Sequence, residues 1–138
     1  MELIYDSLSG LGSFALYFAI SIALLFAFKL LYAFVTPHDE WKLVKEQQNT
    51  AAAIGYAGAI IGFGIAISGA ASNSEFIFDF VIWAVVALFA QLLAFFLLRF
   101  TFMPAIAQRI DNNEISAGIM LAGVSVAVGL INAACMSY

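Results

Sequence analysis

Residues 50–71 read TAAAIGYAGAIIGFGIAISGAA, a run of 22 residues without one charged side chain. About twenty apolar residues are enough to cross the hydrocarbon layer of a bilayer as an α-helix. Small side chains recur along this run every three or four residues, at Ala51, Gly55, Gly58, Gly62 and Ala66. The run therefore predicts a membrane-spanning helix with one face that another helix can approach closely.

The composition of the whole chain points to the same environment. Its 138 residues are 64% hydrophobic and 10% charged, and the mean hydropathy is +1.03. Soluble domains are about 45–50% apolar and about 25% charged, and a chain this short cannot bury such a surplus inside itself. Lipid must therefore solvate most of its surface.

Two ordinary alternatives are excluded at this stage. A single cysteine, Cys135, allows no intrachain disulfide and no cysteine-based metal cluster. The N-terminal residues carry acids and no lysine or arginine, and the apolar run that follows is too long for the core of a secretory signal. We therefore expect the N-terminus to belong to the mature membrane protein.

Four segments are long and apolar enough to span a bilayer. They are Leu11–Val35, Thr50–Ala71, Phe76–Phe102 and Ile115–Met136. The predicted fold class is thus an all-α membrane protein with four transmembrane helices.

The positive charges predict how these helices are oriented. All five cations, Lys29, Lys42, Lys45, Arg99 and Arg109, lie in or beside the first and third connections. Positively charged residues remain on the cytoplasmic side of a membrane. We therefore expect a multi-pass membrane protein whose first and third connections face the cytoplasm, with both termini outside.

The two halves of the chain resemble each other. A shift of 67 residues aligns them without a gap, so that Pro37 falls on Pro104 and Gly62 on Gly129. This predicts two parallel-oriented two-helix hairpin repeats, residues 1–71 and 72–138, in one compact bundle. Their expected relation is a pseudo-two-fold axis along the membrane normal.

The repeat also aligns the small residues of the second and fourth segments. In the fourth segment they are Gly118, Ala122, Ser125, Gly129 and Ala133. We predict that helices 2 and 4 pack on these stripes, with contacts that include Gly55, Gly58, Gly62 and Gly129. An ion path lined by glycine is the functional alternative.

The first connection holds the only histidine and five charged side chains, in TPHDEWKLVKEQQNTAAA at residues 36–53. We predict a short interfacial helix there, a cap on the second membrane helix at Asn49, and a cap on the fourth at Ser116. Consecutive helical residues point about 100° apart, so these neighbours do not converge on one metal ion. A partner-docking loop remains as the functional reading, with residues His38, Asp39, Glu40 and Trp41.

Polar residues within the spans are the other functional candidates, because ionisable and polar groups inside a membrane are costly. The main ones are Gln91, Ser125 and Asn132. They can line a conduction path or hydrogen-bond between helices. No nucleophile–base pair or phosphate-binding glycine motif accompanies them, so we expect no enzymatic activity, cofactor, bound metal or nucleic acid.

Four stretches resemble a known family: TPHDEWKLVKEQQNTAAAI at 36–54, QLLAFFLLRF at 91–100, MPAIAQRI at 103–110 and GLINAACM at 129–136. They are similar to the bacterial inner-membrane family called domain of unknown function 350 (YjfL-like, UPF0719), along essentially the whole chain. The resemblance implies a duplicated two-helix membrane unit and, through the genes near such proteins, a role in envelope maintenance or stress response. It implies no molecular activity.

We therefore expect a non-enzymatic membrane component that acts through oligomerisation and cytoplasmic-loop contacts, with the lipid bilayer, further copies of the chain and a cytoplasmic protein as partners. A small ion or solute channel or transporter is the alternative.

Overall fold

A computed structural model describes residues 2–35, 40–102 and 104–136. These residues form helices α1 (Glu2–Val35), α2 (Glu40–Lys45), α3 (Thr50–Asn73), α4 (Ile77–Leu97), α5 (Ile106–Asp111) and α6 (Ile115–Cys135). A π-helical turn, Leu98–Phe102, extends α4.

Among the described residues, four helices are long and apolar enough to cross a membrane: α1, α3, α4 with its extension to Thr101, and α6. The predicted all-α architecture with four spans is confirmed. The ends of the spans agree with the prediction to within a few residues, except that α1 begins at Glu2, nine residues before Leu11. At about 1.5 Å per residue α1 is about 51 Å long, so it exceeds the roughly 30 Å hydrocarbon layer.

Helices α3 and α6 touch backbone to backbone. A Cβ atom added at Gly58 would lie closer than 3.0 Å to Ala122, and one added at Gly129 would lie closer than 3.0 Å to Gly62. The facing pairs advance together along both helices, from Ala51 with Gly118, through Gly62 with Ser125, to Gly69 with Ala133. The two helices therefore run parallel, with small side chains between them.

Helix α4 completes the core beside this pair. Its inward face buries mainly alanine and phenylalanine, at Phe80, Ala84, Ala87, Leu92 and Phe95. The alanines allow α4 to lie close to its neighbours, and the rings of Phe80 and Phe95 contact Tyr17 and Tyr32 of α1.

Helix α1 is attached differently, by aromatic rings rather than by small residues. Ring centroids lie 4.8 Å apart for Tyr17 and Phe80, and 4.8 Å apart for Phe28 and Phe63. Only 11% of its spanning window is buried inside the protein, against 50% for α3. Helix α1 is thus peripheral, and most of its surface is left for lipid or another protein.

Hydrogen bonds of two asparagine side chains join the two halves of the chain where α3 begins. Asn49 is 4% exposed; its Oδ1 accepts from the Ala52 N–H at 2.9 Å, and its Nδ2 donates to the Ile110 carbonyl at 2.8 Å. From the other half, Asn113 Oδ1 accepts from the Ala51 N–H at 3.0 Å. The predicted cap at Asn49 is confirmed.

The predicted cap at Ser116 is wrong. Helix α6 begins at Ile115 with Glu114 as its N-cap residue, so Ser116 lies inside the first turn. The cause is the preceding turn: Asn113 adopts a left-handed backbone with φ of 57°, and the Glu114 N–H donates to the Arg109 carbonyl at 2.9 Å. The chain is therefore already directed into the helix before it reaches Ser116.

The glycine contact between α3 and α6 predicts that alanine substitutions at two glycines of α6 change stability differently. Gly129→Ala places a methyl group against the Gly62 backbone, and we expect it to lower the free energy of unfolding by about 1–3 kcal/mol, as overpacking does. Gly123→Ala is the control, because nothing lies within 4 Å of its added Cβ. It should be neutral or stabilise by up to about 1 kcal/mol, because alanine favours helix.

Denaturant titration in mixed micelles, followed by circular dichroism, measures both changes. Equal stability of the two variants would contradict close backbone packing at Gly129.

Candidate functional site

Three membrane-spanning helices bring polar or small residues to the same depth. Gly62 and Ser125 lie at the midpoints of α3 and α6, and Gln91 lies about 3 Å along the helix from the midpoint of the span Ile77–Thr101. We call Gly62, Gln91 and Ser125 the midplane cluster. It lies where water is scarcest, so its hydrogen bonds must come mainly from the protein.

Gln91 ties α4 to α6 within this cluster. Its side chain is 1% exposed, and its Nε2 donates to the Ser125 carbonyl at 2.7 Å. A Cβ atom at residue 62 would meet the same Nε2 and the Ser125 carbonyl. Glycine at 62 therefore provides the room in which the Gln91 carboxamide lies.

The midplane cluster contains more hydrogen-bonding atoms than the described residues pair. Within the part of the chain that the structure describes, Gln91 Oε1 and Ser125 Oγ are buried without a hydrogen-bond partner. A buried polar atom left unpaired costs about 1–3 kcal/mol. Together the two oxygens can accept or donate hydrogen bonds to a small polar species, which makes the cluster the main functional candidate inside the membrane.

Asn132 lies on the same α4–α6 interface, nearer the C-terminal end of α6. It is half-buried, and its Nδ2 donates to the Ala87 carbonyl at 3.1 Å. Ala87 is one helical turn from Gln91, so two amide side chains link α4 and α6, one from each helix. The structure thus brings all three predicted polar residues to one interface.

The predicted docking loop is described only in part. His38 and Asp39 lie outside the described residues, and Glu40 and Trp41 form the start of α2. The helix is held against the bundle by Leu43, which is 6% exposed and whose carbonyl accepts from the Asn49 N–H at 2.8 Å. The first turn of α2 is therefore attached to the start of α3.

Charged side chains at the end of the bundle that holds α2 and α5 are mostly accessible to solvent. Arg109 Nε pairs with Glu114 Oε2 at 2.8 Å, and both side chains are more than a third exposed. Within residues 2–35, 40–102 and 104–136, no three His, Cys, Asp or Glu residues are grouped so that they could hold a metal ion.

Sequence reasoning missed one feature of α1. Ala19 and Ala23 lie on its exposed surface, with the half-buried Ala27 one turn further on. Their spacing of four residues is the signal that could have revealed a second small-residue stripe.

Comparison with known proteins agrees with this architecture. The sequence model of the Domain of Unknown Function (DUF350) family matches residues 6–136. The chain is 39% identical over 131 residues to the UPF0719 inner membrane protein YjfL of Escherichia coli strain K12, covering 95% of this chain and 98% of that protein. The protein of the same name from Escherichia coli O157:H7 matches with the same identity and coverage. No solved structure gives a significant match.

Proposed function

Because this chain belongs to the DUF350 family, whose description carries no activity, we propose a function in assembly. The protein is a non-enzymatic component of the bacterial inner membrane that serves envelope maintenance or stress response. It acts by associating with further copies of itself and by holding a cytoplasmic protein. The relatives' name, inner membrane protein, supports the location, and the exposed face of α1 carries the proposal of assembly.

The orientation in the membrane follows from the charges. Lys29 and Arg99 lie toward one end of the bundle, with α2 and α5 contributing the other cations at that end. Glu2 and Asp79 lie at the opposite end, where α1 and α4 begin. The cation-rich end faces the cytoplasm and both termini lie outside.

The bundle consists of two repeats, residues 1–71 and 72–138. Support comes from contacts between positions 67 residues apart: Ala51 faces Gly118, and Gly62 faces Gly129. Helices related by a two-fold axis between them bring equivalent positions together in this way. The parallel run of α3 and α6 agrees with two hairpins that enter the membrane in the same sense.

The assembly surface is the outward face of α1. Ala19, Ala23 and Ala27 form a stripe of small residues there, flanked by the exposed Leu16 and Leu30. Helices in lipid associate where small side chains allow close backbone approach. Within one copy, only 11% of the spanning window of α1 is buried. A second α1 can therefore pack on this stripe without disturbing the α3–α6 core.

A larger side chain at the centre of the alanine stripe should weaken the association between copies of the chain. Ala23→Leu is expected to weaken self-association at least tenfold, measured by light scattering on size-exclusion chromatography across a detergent dilution series. Ala57→Leu is the matched control, because it adds the same bulk to an exposed position of α3. Assembly through α1 would be refuted if the wild-type protein is monomeric both in the light-scattering measurement and in crosslinking within membranes.

The cytoplasmic contact is made by the docking loop, residues His38, Asp39, Glu40 and Trp41. Its support is the accessible charge at this end and the attachment of α2 to α3 through Leu43. A tryptophan in the sequence of this loop, beside side chains of both charges, suits the recognition of a soluble protein surface.

Removal of the loop's aromatic side chain tests this contact. Trp41→Ala should reduce at least fivefold the soluble protein recovered with the chain after crosslinking in cells. Phe76→Ala is the control, since Phe76 is exposed at the opposite end of the bundle. Equal recovery with Trp41→Ala and wild type would count against a partner at this loop.

Conduction of a small ion or solute is the second candidate function. The observation that favours it is the unpartnered pair of oxygens, Gln91 Oε1 and Ser125 Oγ, at mid-depth. Against it, Gln91 and Ser125 are each 1% exposed, so a path through the midplane cluster requires α4 and α6 to separate.

Flux through purified protein in liposomes distinguishes the two functions. The assembly proposal predicts no ion flux above empty liposomes for wild type, Gln91→Leu or Asn132→Leu. Conduction predicts selective flux that either substitution alters, while Ser68→Ala, an exposed position on α3, leaves it unchanged. Circular dichroism confirms that each variant is folded.

A further inference from the structure

A groove runs between α1 and α3 in the half of the bundle where α1 ends. It is lined by Ile22, Leu25, Phe26 and Lys29 of α1 and by Tyr56 and Ile60 of α3, with a volume of about 330 Å³. Phe26 is 64% exposed, and Ile22 and Ile60 are each more than a third exposed. The groove therefore opens to the side of the bundle, where the surroundings are lipid.

The aromatic attachment of α1 produces this groove. The rings of Phe28 and Phe63 meet at 4.8 Å, and those of Tyr32 and Tyr56 at 6.1 Å. Such rings hold two helices further apart than the glycines between α3 and α6 do. The space beside the ring contacts is left as a cleft that is open along one side.

The groove extends from the headgroup layer into the hydrocarbon. Lys29 is six residues before the end of α1, and Tyr56 is six residues after the start of α3, which places both about 9 Å from the helix ends. A lysine at this depth extends its ammonium to the headgroups while its methylenes stay in the apolar layer. Ile22 lies about 10 Å deeper along α1.

We propose that this groove is a binding site for one anionic glycerophospholipid of the leaflet at the cation-rich end. The Lys29 ammonium pairs with the phosphate, and one acyl chain lies along Ile22, Phe26 and Ile60. Among the described residues that line the groove, Lys29 is the charged one and the others are apolar or aromatic, so a cationic side chain lies above an apolar cleft. This combination matches an anionic headgroup on a hydrocarbon chain, as in basic pockets between transmembrane helices.

The aligned positions of the second half do not repeat this combination, so the proposal concerns the groove beside Lys29. The residue 67 positions after Lys29 is Phe96, and the residue 67 after Tyr56 is Gly123. A depression beside Phe96 is lined, among the described residues, by Leu93, Phe96, Leu97, Phe100 and Thr101, none of them charged.

Electron paramagnetic resonance of spin-labelled lipids tests the site. Full-length protein is placed in phosphatidylcholine vesicles with a trace of labelled phosphatidylglycerol or labelled phosphatidylcholine, and the motionally restricted fraction is compared. We expect about fivefold preference for phosphatidylglycerol, the effect of one lysine at a membrane surface. Lys29→Met should abolish the preference, Lys29→Arg should keep it, and Lys45→Met, which removes the same charge outside the groove, should leave it unchanged.

A second variant separates the groove from the charge. Ile60→Trp fills the cleft and retains Lys29, and we expect it to remove the restricted phosphatidylglycerol. The same preference in wild type and Lys29→Met, or no preference in wild type, would overturn the proposal and leave only ordinary boundary lipid. If Ile60→Trp changes the oligomer size instead, with lipid preference unaltered, a second copy of the chain occupies the groove and the proposal is likewise overturned.

Discussion

The close approach of α3 and α6 is the contact on which the rest of the structure depends. Lipid tails are as apolar as leucine, so apolar burial alone cannot hold helices together in a membrane, and packing of backbone against backbone takes its place. Gly58, Gly62 and Gly129 allow that packing, because a side chain at any of them would collide with the facing helix. Helix α4 then lies beside a pair that is already closely joined.

The polarity at mid-depth depends on the same contact. Gly62 leaves room for the Gln91 carboxamide, which hydrogen-bonds to the Ser125 carbonyl. Two further oxygens of this cluster have no partner among the described residues, so its polarity exceeds what helix packing requires. A buried polar group is costly unless it is hydrogen-bonded. Packing alone therefore does not explain why polar residues occupy this part of the core.

The periphery of the bundle differs from its core in both chemistry and exposure. Helix α1 is held by the rings of Phe28 and Tyr32, which contact Phe63 and Tyr56 of α3, and its surface carries a stripe of alanines and the groove beside Lys29. An element with few buried contacts opens more readily than a closely packed one. The proposed assembly surface and the proposed lipid site thus both lie on the helix that the core constrains least.

The sequence by itself determined the four spans, the family and the Asn49 cap. Long apolar runs, matched motifs and a capping residue are local features, and residues near in sequence decide them. It did not reveal that α1 begins at Glu2, because the acidic N-terminal residues resemble a connection, nor that Glu114 replaces Ser116 as the cap of α6. The partner of Gln91 and the groove beside Lys29 were decided only by the tertiary structure, because each depends on the distance between helices that are far apart in the chain.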